Sequence, residues 1–187
     1  AAAVLGREFS VAMLAAVLDK SPEVLASDMR APMAAGLLVT RGRGNNERYI
    51  FKHALVRDVA YKSQLNSERL GMHSRVADAL LDQFAAYADA HPDVVARHLT
   101  EAGRFDEAES FWSLAGSLYR TQAALVESAA CYDQARVCLS RLTRTPEVLK
   151  RMVEVILAQR PVLWPLGDGT RLMDALWVAE AAAVELA

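Results

Sequence analysis

The sequence predicts a mainly α-helical protein with one small β-hairpin, organised as two modules of opposite charge. Three observations lead there. Alanine fills 34 of the 187 positions while glycine (9) and proline (6) are scarce, a balance that favours helices and excludes collagen-like, disordered or disulfide-scaffold chains. Apolar residues recur at helical spacing except between Leu37 and Phe51, where the pattern becomes short, apolar and β-branched. Residues 1–66 carry nine Lys/Arg against six Asp/Glu, a net +3, and residues 67–187 carry twelve against seventeen, a net −5. Neither charge is large enough to mark a nucleic-acid binder by itself.

The first helix, over Ser10–Leu18, opens on a serine cap and has apolar residues at 11, 14, 15, 17 and 18. Ser21-Pro22-Glu23 is a second start: a cap, a proline at the first helical position, and an acid at the positive helix end. That helix runs to about Ala35 and Gly36 closes it. Pro32 is expected to break it in two, because its ring obstructs the preceding turn. Leu37-Leu38-Val39-Thr40 and Tyr49-Ile50-Phe51 read as strands joined by the polar turn Arg41-Gly42-Arg43-Gly44-Asn45-Asn46. Ala54–Leu65 returns to helix, with Leu55, Val56, Val59 and Ala60 expected on its inner side. Helices followed by a hairpin make a small winged-helix domain over residues 1–66. As a DNA reader it is poorly equipped. The helix before the hairpin offers Arg30 but no Asn, Gln or Lys, whereas base readout needs forked or amide donors. Arg41, Arg43 and Arg48 of the wing could touch phosphates only.

Residues 67–91 read as a bridging segment, with one long amphipathic helix over Ser67–Tyr87 that buries Leu70, Val76, Leu80, Leu81 and Phe84. Residues 92–187 read as a helical repeat array. Trp112-x2-Ala115-Gly116-x2-Tyr119 followed by Tyr132-x2-Ala135 has the spacing of a tetratricopeptide repeat, with Gly116 and Ala135 as the small positions that let paired helices approach. Ser128 stands where that repeat has Ala, and Ser140 where it has Pro. Thr145-Pro146-Glu147 starts another helix and Thr170–Leu186 forms the last. The long connection between them, Arg160–Gly169, holds Trp164 between two prolines, and that indole is expected to wedge between helices. Such arrays bury a continuous core only by stacking, so the final helix is expected to expose an apolar face. With no initiator Met and no cleavable leader, the chain reads as a piece of a longer cytoplasmic protein.

Chemistry is sparse. No apolar run approaches the ~20 residues of a membrane span. Cys131 and Cys138 lie seven apart, about 10 Å along a helix and too far for a disulfide, so they read as buried thiols. Gly167-Asp168-Gly169-Thr170 is a turn and helix start, not a phosphate loop. His53, His73, His91 and His98 have no metal-ligand spacing, and no nucleophile–base set emerges. The chain is therefore expected to hold no catalytic residue, no metal and no cofactor of its own. His53 stands apart. It sits at a strand-to-helix junction, where helix dipole and free N–H groups favour an anion to which an imidazole could add a donor. A histidine that caps the junction and is satisfied by backbone fits the same position.

With these residues in view, the chain resembles the region following the nucleotide-binding domain of signal-transduction ATPases with numerous domains, such as bacterial regulators attached to class III adenylate/guanylate cyclases and related transcriptional activators. Ala2-Ala3-Val4-Leu5-Gly6-Arg7-Glu8-Phe9, Ala34-Ala35-Gly36-Leu37-Leu38, Phe51 through Tyr61, and His98-Leu99-Thr100-Glu101-Ala102-Gly103 carry the resemblance. The block Phe51–Tyr61 also resembles the end of the winged helix in plant disease-resistance ATPases, whose Met-His-Asp-Leu histidine contacts the β-phosphate of bound ADP. His53 falls on that histidine, Leu55 on the leucine and Asp58 on a later acid. Lys52 replaces the methionine and Ala54 the aspartate, so His53 alone is carried over. The resemblance implies a non-catalytic regulatory fragment. Its winged helix would clamp an intramolecular P-loop domain holding ATP or ADP, and its repeats would receive a protein or signal partner. The parent could be a nucleotide cyclase with an ATPase module. The alternative is a transcriptional regulator that binds DNA through the winged helix.

Overall fold

Local capping chemistry explains several of the helix starts. The computed structural model describes residues 1–42 and 47–186 and divides into two units, Ala1–Ala85 and Ala86–Ala187. Among the described residues there are eleven helices and one three-stranded antiparallel sheet, all strands lying between residues 8 and 51.

The first unit contains α1 (Ala2–Leu5), β1 (Glu8–Ser10), α2 (Val11–Leu18), α3 (Pro22–Ala34), β2 (Leu38–Arg41), β3 (Arg48–Phe51), α4 (Ala54–Lys62) and α5 (Asn66–Gln83). The hydroxyls of Ser10 and Ser21 accept the N–H groups of Met13 and Val24 at 3.0 and 3.5 Å, as their positions in the sequence predict. Pro32 does not break α3. It falls in the last turn, where little of the backbone ladder remains to be lost, and the helix runs through it. Gly36 then takes φ +67°, and the Gly36 and Leu37 N–H groups donate to the carbonyls of Met33 and Pro32. This pairing closes the helix and needs a left-handed residue at Gly36.

The sheet order is β1-β3-β2, with Phe9 opposite Tyr49 and Leu38 opposite Phe51. Phe9, Leu14, Leu25, Leu38, Tyr49 and Phe51 form its core, and the Phe9 ring lies 5.8 Å from Tyr49 and 5.9 Å from Phe51. The hairpin turn residues Arg43 to Asn46 lie outside the described residues. The expected long helix over Ser67–Tyr87 is instead α5 ending at Gln83, followed by α6 (Ala85–Ala90). Phe84 leaves helical geometry at φ −127°, ψ 38°. Leu70 faces solvent, and the buried stripe of α5 is His73, Val76, Ala77 and Leu80.

The second unit continues with α7 (Pro92–Glu101), α8 (Phe105–Thr121), α9 (Leu125–Leu139), α10 (Pro146–Leu163) and α11 (Gly169–Leu186), each packed on the next. The Thr145 hydroxyl caps α10 through Val148 N–H. Between α8 and α9, Ser128 Oγ donates to the Gly116 carbonyl at 2.7 Å, and Gly116 lies against the Tyr132 ring. Thr100 joins three helices: Trp112 Nε1 donates to its hydroxyl at 2.9 Å, that hydroxyl donates to Ala96 O at 2.8 Å, and Cys138 Sγ lies 3.6 Å away. Cys131 and Cys138 are buried free thiols. Burial, reinforced by Asp93 and Glu127, pushes the Cys131 thiol up to about 12, so it stays protonated and unreactive near neutral pH.

The α7–α8 and α8–α9 turns repeat one geometry twenty residues apart. Gly103 (φ +76°) and Ala123 (φ +59°) are both left-handed, and the Arg104→Leu99 and Ala124→Tyr119 backbone bonds correspond. Alanine in this region costs about 1 kcal/mol that glycine avoids, partly offset by the greater unfolded-state entropy of glycine. Ala123→Gly is therefore expected to leave the stability measured by urea unfolding unchanged or raise it slightly, and Gly103→Ala to lower it by a similarly small amount, less than about 1 kcal/mol.

Candidate functional site

The end of β3 is held on both sides. Phe51 N–H donates to Arg7 O at 2.9 Å and Lys52 N–H donates to Leu37 O at 3.0 Å. The chain therefore leaves the sheet at a fixed point, and His53 occupies the N-cap of α4 with extended backbone (φ −127°, ψ 135°). Its carbonyl accepts the Val56 N–H, but its side chain makes no capping hydrogen bond and is exposed. The imidazole thus does not serve the junction as a cap. It stands at the positive end of a helix, where an anion is favoured.

The rotation of α4 differs from the expectation. Val56, Ala60 and Tyr61 pack on the core, while Leu55 and Val59 face outward at 76% and 68% exposure. The apolar arc of this helix is wider than the face the core can cover, and Tyr61 decides which half is used. Its hydroxyl lies 3.0 Å from His73 Nε2, the two rings meet edge to face at 5.9 Å, and Arg69 lies over the tyrosine ring at 5.1 Å. Turning Tyr61 inward turns Leu55 and Val59 out. Leu55 and Val59 stand one helical turn apart and form an outward aliphatic strip on α4, with His53 exposed at the entrance to that helix and Leu65 exposed beyond its end. Asp58 is engaged by its neighbour, with Arg57 Nε donating at 3.0 Å.

On α3, Arg30 is exposed, but so are Glu23 and Asp28, and Asp28 is paired with Lys20 at 2.5 Å. The helix before the hairpin therefore presents mixed charge rather than a basic stripe.

In the second unit a groove of about 620 Å³ lies between α8 and α10. Ser110, Ser113, Ser117 and Arg120 follow one side of α8 into it, with Tyr132 and Glu154 on the walls. At its edge the Glu109 carboxylate, buried to 5% exposure, is gripped by Arg151 and accepts the Ser113 hydroxyl at 2.7 Å. A carboxylate so engaged is not free to act as a base on Ser113. Deeper in the unit, the fully buried Gln159 amide donates to Ala129 O at 3.2 Å and Asp133 Oδ1 at 2.6 Å, and Asp133 pairs with Arg171. Sequence reasoning missed both polar clusters, because their partners lie 26 to 42 residues apart.

Trp164 does not wedge between helices; it is 76% exposed. It retains helical geometry beyond α10 (φ −59°, ψ −52°), which keeps it on the outward face of Leu157, Arg160 and Pro161, while Val162 and Leu163 turn inward. Among the described residues no group of three or more His, Cys, Asp or Glu is placed to hold a metal, and no helix is long and apolar enough to cross a membrane.

Comparison with known proteins adds one relative. An uncharacterized protein of Rhizobium meliloti (strain 1021) is 25% identical over 166 residues, covering 87% of this chain. The chain spans only 16% of that relative's length. No protein-family model matches the chain, and no solved structure matches it.

Proposed function

We propose that this chain is a non-catalytic regulatory and protein-interaction region of a cytoplasmic, nucleotide-dependent signalling protein, such as an ATPase module attached to an adenylate/guanylate cyclase. In this reading residues 1–66 are a winged-helix arm that packs on a P-loop domain elsewhere in the protein, and residues 92–187 are a tetratricopeptide-like scaffold for a partner or signal. One observation carries it: His53 is exposed and makes no capping bond at the entrance to α4, the helix that turns Leu55 and Val59 outward. Two large outward aliphatic side chains on a helix entered by an exposed histidine suit a docking surface better than a solvated helix. The length of the Rhizobium relative agrees with a segment embedded in a much longer chain.

The proposed mechanism is a population shift. ADP, touching both the P-loop domain and the His53 imidazole, would favour the docked arm. ATP would favour release, because each nucleotide must distinguish the two packings energetically. His53→Ala in the full-length protein is expected to speed ADP release several-fold while leaving ATP release unchanged, measured with fluorescent nucleotide in a stopped-flow instrument. Equal release rates in mutant and wild type remove His53 from the mechanism. Salt-dependent DNA binding by this chain would instead favour the transcriptional-regulator reading, which the mixed charge of α3 disfavours.

A further inference from the structure

Both walls of the groove between α8 and α10 belong to this chain, and the two helices run parallel. Arg151 of α10 reaches Asp106 and Glu109 near the start of α8. Farther along, Gln159 meets Ala129 of α9, whose neighbour Ser128 meets Gly116 of α8. Tyr132 of α9 fills the notch that Gly116 leaves and is only 3% exposed. Cζ, the carbon that carries its hydroxyl, is the ring atom nearest to where a Gly116 side chain would stand. The phenol lines the groove, and among the described residues its hydroxyl has no hydrogen-bond partner. A polar group so deeply set normally has one. This one faces an open groove, where a ligand can supply it.

Charge identifies the class of ligand. Glu109 at the near end of the groove is already matched by Arg151. Two lining charges have no ion-pair partner among the described residues, Glu154 of α10 and Arg120 of α8, and both are exposed. Glu154 stands one turn past Arg151, and Arg120 lies roughly 14 Å farther along at ~1.5 Å per residue. One anion and one cation on the same groove suit a zwitterion. A phosphate or nucleotide would face Glu154 as well as Arg120, and a uniformly acidic or basic segment would be repelled by one of them. Between the two charges lie the hydroxyls of Ser117 and Tyr132. Each can donate or accept, which matches the alternating N–H and C=O groups of an extended main chain. Four extended residues reach ~13 Å, about the separation of the charges.

We propose that this groove binds a free peptide of about four residues by its two ends. The terminal ammonium sits at Glu154 and the terminal carboxylate at Arg120, while Ser117 and Tyr132 hydrogen-bond the main chain between them. The proposal names the signal that the repeats receive, and so rests on the reading of residues 92–187 as a receiver. It makes no use of His53 or of a nucleotide.

Isothermal titration of this chain with tetra-alanine tests it. Saturable binding is expected with a Kd of ~1 mM or tighter, weakened roughly tenfold by acetylating the amino end and roughly tenfold by amidating the carboxyl end. Arg120→Gln should bind the free and the amidated peptide alike, and Glu154→Gln the free and the acetylated peptide alike. Both positions are exposed, so neither substitution disturbs the core. Tyr132→Phe keeps the ring and removes only the hydroxyl; it should weaken binding several-fold while circular-dichroism melting stays unchanged. Absence of saturable binding overturns the proposal, as does wild-type affinity in Arg120→Gln, Glu154→Gln or Tyr132→Phe. So does equal binding of the peptide capped at both ends, since the occupant would then be an internal segment of a longer chain. That last result would leave the receiver reading standing, and none of these outcomes bears on nucleotide release by His53→Ala.

Discussion

Gly116→Ala is expected to destabilise the chain by about 2 kcal/mol, although alanine is the better helix former by roughly 1 kcal/mol. The sign is decided by contact. A Cβ at position 116 would lie 2.9 Å from Tyr132 Cζ and 3.0 Å from both Cε atoms, inside van der Waals distance of a ring that is only 3% exposed. The ring cannot swing away, because it is packed in a cluster with Ala129, Ala135 and Leu139. Backing α8 off from α9 would instead stretch the 2.7 Å bond from Ser128 Oγ to the Gly116 carbonyl, leaving a buried hydroxyl without its acceptor. Thermal unfolding followed by circular dichroism should show a fall of about 4–8 °C for the mutant. Tyr132→Leu costs stability alone by opening a cavity, but in the double mutant the two losses should sum to less than their separate values. Strict additivity would show that the ring is not what excludes a side chain at this position.

The same pair shows which parts of the fold the sequence makes legible. Gly116 was readable as a small position at which two helices approach, and the Tyr132 ring does lie against it. Ser10, Ser21 and Thr145 were readable because a cap acts over three residues. Each of their hydroxyls does accept the predicted N–H. β1 was not readable. It is three residues long, and its pairing with β3 is set by residues some forty positions away. The rotation of α4 was missed for a related reason: four apolar residues allow two inner faces, and the contact that chooses, Tyr61 with His73, lies on the next helix. Trp164 was misjudged by treating its prolines as a loop, whereas the helix passes through Pro161 and carries the indole outward. Of the candidate site, the position of His53 at a helix entrance was legible. The aliphatic surface beside it depends on the α4 rotation and was not.

Arg151→Met is expected to cost about 3 kcal/mol, the second large effect, and its origin is electrostatic rather than steric. Arg151 Nε donates to Glu109 Oε2 at 3.0 Å and a second guanidinium nitrogen reaches the same oxygen, while the Glu109 side chain is only 7% exposed. Removing the guanidinium leaves a carboxylate sequestered with only the Ser113 hydroxyl to satisfy it. The other partner of Arg151 behaves differently. Asp106 accepts from Nη1 at 2.6 Å but its side chain is 69% exposed, so Asp106→Ala should cost no more than about 0.5 kcal/mol. Two contacts of similar length thus differ severalfold in effect, because water already screens one of them. Replacing both charges, Glu109→Leu with Arg151→Met, should recover most of the stability lost by Arg151→Met alone, since no buried carboxylate is then left without its guanidinium. Urea unfolding of the four proteins measures the cycle. A double mutant no more stable than Arg151→Met would show that the cost lies in lost packing of the arginine stem between α8 and α10, and not in the abandoned carboxylate.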